Sequence, residues 1–137
     1  MKVIGIDPGL SSTGVGIVSG QGVKVRSHAF GSIHTSSSTS LACRLDRIHG
    51  KLLELLQQEK PDKLVIEDVF SLKAYPKSGI ILGQVSGVIL LAGYQAGVSA
   101  AQIPVREAKQ VLTGNGNAAK SQLEKAVRSL LQIDTPI

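Results

Sequence analysis

Apolar residues recur along this chain with two periods, and each period predicts its own kind of element. KVIGID, residues 2–7, reads as a strand that ends on an acid, and DPGLSST supplies turn chemistry behind it. A second strand is expected over Thr13–Ser19, a tight turn at GQG, and a third strand over Val23–Thr35. These three form an antiparallel meander, with Gly14 and Gly16 lowering the steric bulk near the turn. The period then changes. SSSTS offers helix N-caps, and Leu41, Leu45, Ile48, Leu52 and Leu55 follow at spacings of four and three, one apolar face of an amphipathic helix. Pro61 stops it. KLVIED (63–68) is a β-branched run that again ends in acid, and FSLKAYPKS reads as a loop.

From Ser78 to Val105 there is no charged residue. That length suffices for a bilayer span. The Gln, Ser and Gly within it, and the absence of Trp or of a second such stretch, favour a buried helix followed by a buried strand at AQIPV. Residues 106–113 predict a short helix, TGNGN a turn, and Leu123, Val127, Leu130 and Leu131 a last helix capped by Asn117. The resulting order, β-β-β-α-β-α-β-α-α, is that of an α/β domain with a mixed sheet.

Composition narrows this picture. A chain of 137 residues makes one domain with a proper core, expected to span 1–137. Aromatics are 3% of the residues, so aliphatic side chains must fill the interior. The net charge is +5, and the excess is uneven: residues 1–68 carry eight Lys/Arg against seven Asp/Glu, residues 69–137 seven against three. A polyanionic partner would therefore lean on the second half. Cys43 is alone, which fits a reducing compartment, and the N-terminus enters a strand at once, with no leader pattern. The cytoplasm is the expected location.

Two acids carry the candidate chemistry. Asp7 closes the first strand and Glu67 the fourth, both at the C-terminal ends where ligands gather in such sheets. Taken singly, each is an ordinary solvated strand end. If the strands are neighbours, the two carboxylates repel, and a divalent cation removes the conflict. Oxygen donors suit Mg²⁺ or Mn²⁺, and no Cys/His cluster offers a zinc site. Asp68 falls on the opposite face by strand alternation and is left out of the pair.

GIDPGLSSTGVGIV, then IEDVF, then KQ…TGNGNAAKSQ, in this order and spacing, resemble the RuvC family of bacterial Holliday junction resolvases from Met1 to about Ile133. The resemblance implies a ribonuclease H-like fold with a five-stranded sheet and helices on both faces. It also implies a homodimeric, Mg²⁺-dependent endonuclease (Mn²⁺ substituting) that resolves four-way junctions in recombination and repair, alongside branch-migration machinery. On the family pattern Asp7 and Glu67 are catalytic carboxylates that bind two metal ions in the complete site. Phe70 matches an aromatic position associated with junction DNA, and its ring suits stacking on an unpaired base. Lys109 and Lys120 match DNA-binding positions; Lys120 lies in the first turn of the helix after TGNGN, where free N–H groups favour phosphate. Lys73, Lys77 and Arg106 extend the basic surface. Gly79, Gly83 and Gly87 recur every four residues, a smooth ridge for either the dimer contact or close packing on the protein's own sheet.

One departure matters. The family completes its metal site with acids on a further C-terminal helix, whereas this sequence runs to LLQIDTPI, and Asp134 falls too early to replace them. The expectation is a chain shortened relative to the family, with impaired cleavage and surviving DNA binding. The alternatives are a non-catalytic junction-binding module, a related ribonuclease H-like nuclease with another substrate, and a nucleotide-binding protein reading GIDPGLSSTG as a phosphate loop. The last needs a second lobe that 137 residues do not supply.

Overall fold

A computed structural model describes residues 1–21, 24–68 and 76–104, except the side chains of Lys24, Asp68, Pro76 and Pro104. Five strands, β1 (Lys2–Asp7), β2 (Ser12–Gln21), β3 (Lys24–His34), β4 (Lys63–Asp68) and β5 (Ser99–Pro104), form one sheet in the order β3-β2-β1-β4-β5. Two helices, α1 (Leu41–Glu59) and α2 (Pro76–Gln95), connect its second half. β1, β2 and β3 pair antiparallel, and β4 and β5 run parallel to β1, so the sheet is mixed as expected. The helices expected within 106–131, and the expectation of helices on both faces, fall outside the described residues.

The core lies under one face. Ile4 and Ile6 of β1 and Leu64 and Ile66 of β4 meet Ile48, Leu52 and Leu56 of α1 and Val85, Ile89 and Ala92 of α2. Every member is aliphatic. Both described helices therefore cover the same side of the sheet. α2 is also long and apolar enough to cross a membrane by length and composition, but its Val85–Ile89–Ala92 side is packed into this core.

Each helix has the ends its sequence supplies. The Ser40 hydroxyl caps α1 by accepting from the Cys43 N–H at 3.1 Å, and Lys60, at φ 47°, closes it with its N–H on the Leu56 carbonyl. α2 begins on a proline, two residues earlier than the uncharged stretch implied, because proline's fixed φ suits a first helical position. It ends at Gly97, φ 72°, whose N–H bonds the Tyr94 carbonyl while the Val98 N–H reaches back to Gly93, a doubly bonded left-handed terminus.

Three expectations need adjusting. β2 runs on through Gly20 and Gln21, past an irregularity between Ser19 and Gly20, because the ladder with β3 extends to the pair Gln21–Lys24. Thus GQG is not all turn. Leu41 starts the predicted apolar stripe but is 39% exposed, since the buried line on α1 runs through Ile48, Leu52 and Leu56, one step from Leu55. The glycine ridge on α2 does not pack on the sheet: a Cβ at Gly83 or Gly87 would meet nothing within 4 Å. The tight helix–sheet contact is instead at Gly93, where a Cβ would lie 2.8 Å from Leu64 Cδ2.

That contrast is testable by chemical denaturation. Gly93→Ala should destabilise the domain by about 1–3 kcal/mol, because Leu64 is fully buried and its Cδ2 must shift within the core to admit the methyl. Gly50→Ala, in open space on α1, should stabilise it by about 0.5–1 kcal/mol through helix propensity alone.

Candidate active site at the ends of β1 and β4

The pairing of β1 with β4 sets the site. The two strands are parallel neighbours in the register Val3–Lys63, Ile4–Leu64, Gly5–Val65 and Ile6–Ile66. Since Ile6 and Ile66 both point down into the core, alternation turns the next residue of each strand to the opposite face. Those residues are Asp7 and Glu67. They stand in adjacent rows on the face away from α1 and α2, at the same end of the sheet, with strands about 4.8 Å apart. Asp7 is exposed and Glu67 half-buried. The condition set by the sequence, that the two acid-ended strands be neighbours, is met.

Space around the pair comes from glycine. On the other side of β1, Asp7 faces Gly14 of β2. A Cβ at Gly14 would lie 3.4 Å from the Asp7 Cβ and 4.0 Å from Oδ2, in ordinary contact with it, so this glycine lies directly beside the carboxylate. The flat strip continues at Gly16, over which the Phe30 ring lies.

The turn that presents Asp7 is held from three directions. Within it, a Cβ on Gly9 would sit 2.2 Å from the Ser12 carbonyl oxygen, a backbone contact that only glycine permits. The fully buried Thr13 hydroxyl donates to the Gly9 carbonyl at 2.7 Å. From the end of β3, the Thr35 N–H donates to the Ser11 carbonyl and the Thr35 hydroxyl to that of Leu10. From α1, Arg44 donates through Nε to Thr35 Oγ1 at 2.8 Å and through Nη2 to Ser11 Oγ at 3.0 Å. The acid is thus fixed by a network reaching Arg44.

Of the other expected site residues, Phe70, Lys109 and Lys120 lie outside the described residues, as do Lys73, Arg106 and the side chain of Asp68. Lys77 is exposed at the start of α2. Sequence reading missed Thr13, Thr35 and Arg44, whose single signal was a charged residue beside the apolar stripe of α1. Among the described residues no group of three or more His, Cys, Asp or Glu is placed to hold a metal, so Asp7 and Glu67 stand there as a pair.

A mixed sheet in the order β3-β2-β1-β4-β5, with its central strand β1 parallel to β4 and antiparallel to β2, is that of the ribonuclease H-like fold. The particular family follows from comparison with known proteins. The profile of the family described as crossover junction endodeoxyribonuclease RuvC matches residues 3–137. The RuvC of Geobacter metallireducens is 37% identical over 133 residues, 97% of this chain and 80% of that protein. That of Halothermothrix orenii is 37% identical over 134 residues, 98% and 81% of the two chains. The structure of Thermus thermophilus RuvC superposes with a TM-score of 0.88 at 31% identity, covering all of this chain and 84% of that one. The complex of T. thermophilus RuvC with Holliday junction substrate gives 0.92 at 31% identity, over all of this chain and 83% of that one. The chain belongs to the RuvC family.

Proposed function

We propose that this chain is a structure-selective endonuclease that binds four-way junction DNA and hydrolyses its phosphodiesters with a divalent metal, in recombination and repair in the cytoplasm. The observation that carries this reading is the adjacency of Asp7 and Glu67 on one face of an RuvC-family sheet. Their donor chemistry fits Mg²⁺, with Mn²⁺ as substitute: both offer hard oxygens, and Gly14 leaves the Asp7 carboxylate unobstructed. Mg²⁺, when bound, supplies an activated water and neutralises charge on the leaving oxygen. Asp7 and Glu67 would hold it. Phe70, three residues beyond Glu67, would stack on an unpaired base, and Lys109 and Lys120 would neutralise backbone phosphates. Branch-migration machinery would bring the junction to the enzyme.

A full two-ion site needs more donors than this pair. Asp7 and Glu67 are the two acids that the described residues bring together at this end of the sheet. The same observation favours the second reading, junction binding without cleavage. Comparing a synthetic four-way junction, a linear duplex and an RNA–DNA hybrid, with Mg²⁺, separates them. We expect preferential binding of the junction and nicking that Glu67→Gln abolishes without weakening binding. Nicking unaffected by Glu67→Gln would remove the acid pair from the reaction. Preference for the hybrid would move the chain to a related nuclease.

A two-fold dimer suits two symmetric cuts, and α2 supports one. Ile80 (65% exposed), Gly83, Gly87, Leu91 and Tyr94 (84% exposed) recur every three or four residues on the side turned away from the core. Glycines at its centre let a second copy's helix approach closely. Light scattering should show a dimer for the wild-type chain and a monomer for Leu91→Glu. An unchanged dimer in that variant would place the contact elsewhere.

A further inference from the structure

We propose that the recess between the end of β3 and the start of α1 binds a backbone phosphate of the DNA, held by Arg44 and Arg47. This rests on the reading of the chain as a DNA-binding protein and adds a contact at a second place on its surface. The recess has a volume of about 400 Å³ and is lined by Arg44, Arg47, His34, Cys43 and the hydroxyl-bearing Thr35 and Ser36. Among the described residues, no carboxylate lines it. Neither arginine takes part in an ion pair among the described residues.

Both guanidinium groups are aimed but not used up. Arg47 donates its Nε to the His34 carbonyl at 2.6 Å. Arg44 donates Nε to Thr35 and Nη2 to Ser11. A guanidinium has five N–H donors; removing one for Arg47 and two for Arg44 leaves four and three for a ligand. The anchored planes present a fork that matches a phosphate at little entropic cost. α1 adds its positive end here, with no acidic residue in its first turn.

Position agrees with a phosphate that belongs to the same DNA. The pairings Asp7–Gly14 and Gly14–Ser32 put the acid and the end of β3 at the same end of the sheet, with His34 just beyond, opposite Ser12. The acid stands on the face away from α1, and the recess on the α1 side of that end. Within the sheet, two strand spacings separate β1 from β3, about 10 Å, and the arginines lie beyond that on the α1 side. Arg44 also has a purely structural task, the clamp on the Asp7 turn. Arg47 does not touch that turn, so it isolates the proposed role.

The test uses the full chain, Arg47→Ala, and Arg26→Ala as a control for charge, since Arg26 is exposed near the opposite end of β3 and, among the described residues, bonds Gln21. Affinity for a four-way junction and for a short linear duplex is measured across a salt series. Arg47→Ala should weaken both DNAs and reduce the slope of log K against log salt by about 0.9, one phosphate; Arg26→Ala should leave the slope unchanged. The single, exposed Cys43 gives an independent readout. Saturating duplex should slow its alkylation by neutral iodoacetamide several-fold in the wild type. Equal slopes for Arg47→Ala and wild type, a loss matched by Arg26→Ala, or alkylation unaffected by saturating DNA would each overturn the site. Equal affinity for junction and duplex, with the Arg47 effect intact, would keep the phosphate site and sink junction selectivity instead. No binding of either DNA would sink both.

Discussion

The parallel register between β1 and β4 is the constraint on which the rest of this molecule depends. It stacks Ile4 on Leu64 and Ile6 on Ile66, and all four side chains are at most 3% exposed. Burying these rows beneath the sheet leaves no choice for the next one: Asp7 and Glu67 must rise on the other face. A slip of one residue would send a carboxylate into an aliphatic core and an isoleucine into solvent, which the hydrophobic term and the cost of a buried charge both oppose. The stability of the core thus fixes the chemistry of the opposite face.

Position along the strand needs a second support, because a strand end frays. For Asp7 that support is the network of Thr13, Thr35 and Arg44 around the turn at residues 8–11. It links β1, β2, β3 and α1, so the acid is tied to most of the domain. Glycine acts in the opposite sense by leaving room, at Gly9 for the turn to close. At the far end of the sheet, the Lys2 ammonium bridges to Glu59 at 3.1 Å, and Asp62 accepts from the Lys2 N–H at 2.7 Å. There the same strand is locked to the end of α1.

Much of this was legible in the sequence, for identifiable reasons. Ser40 and Pro61 bracket α1 because capping and helix breaking are local effects. The two acid-ended runs KVIGID and KLVIED announced strand ends, since a charge closes an apolar run where the core stops. Whether those ends were neighbours was not local and needed the sheet order. The extra residues of β2 were hidden because glycines carry little strand signal and only the partner strand shows that they are paired. Gly93 was likewise invisible. Nothing in its neighbours distinguishes a glycine pressed against Leu64 from Gly83 and Gly87, which face open space. The role of Arg44 depends on three segments meeting, a fact of tertiary structure alone.

The chain belongs to the RuvC family, and the proposed metal chemistry rests on the acid pair. The most direct test is Mn²⁺ binding, followed by its electron paramagnetic resonance, in the wild-type chain, Asp7→Asn, Glu67→Gln and the double variant. A shared ion predicts that either substitution weakens binding by at least the roughly tenfold that loss of even an outer-shell partner costs. The double variant should then be little worse than the single ones. Binding unchanged by either substitution, or two losses that simply add, would mean that these carboxylates do not hold a common cation.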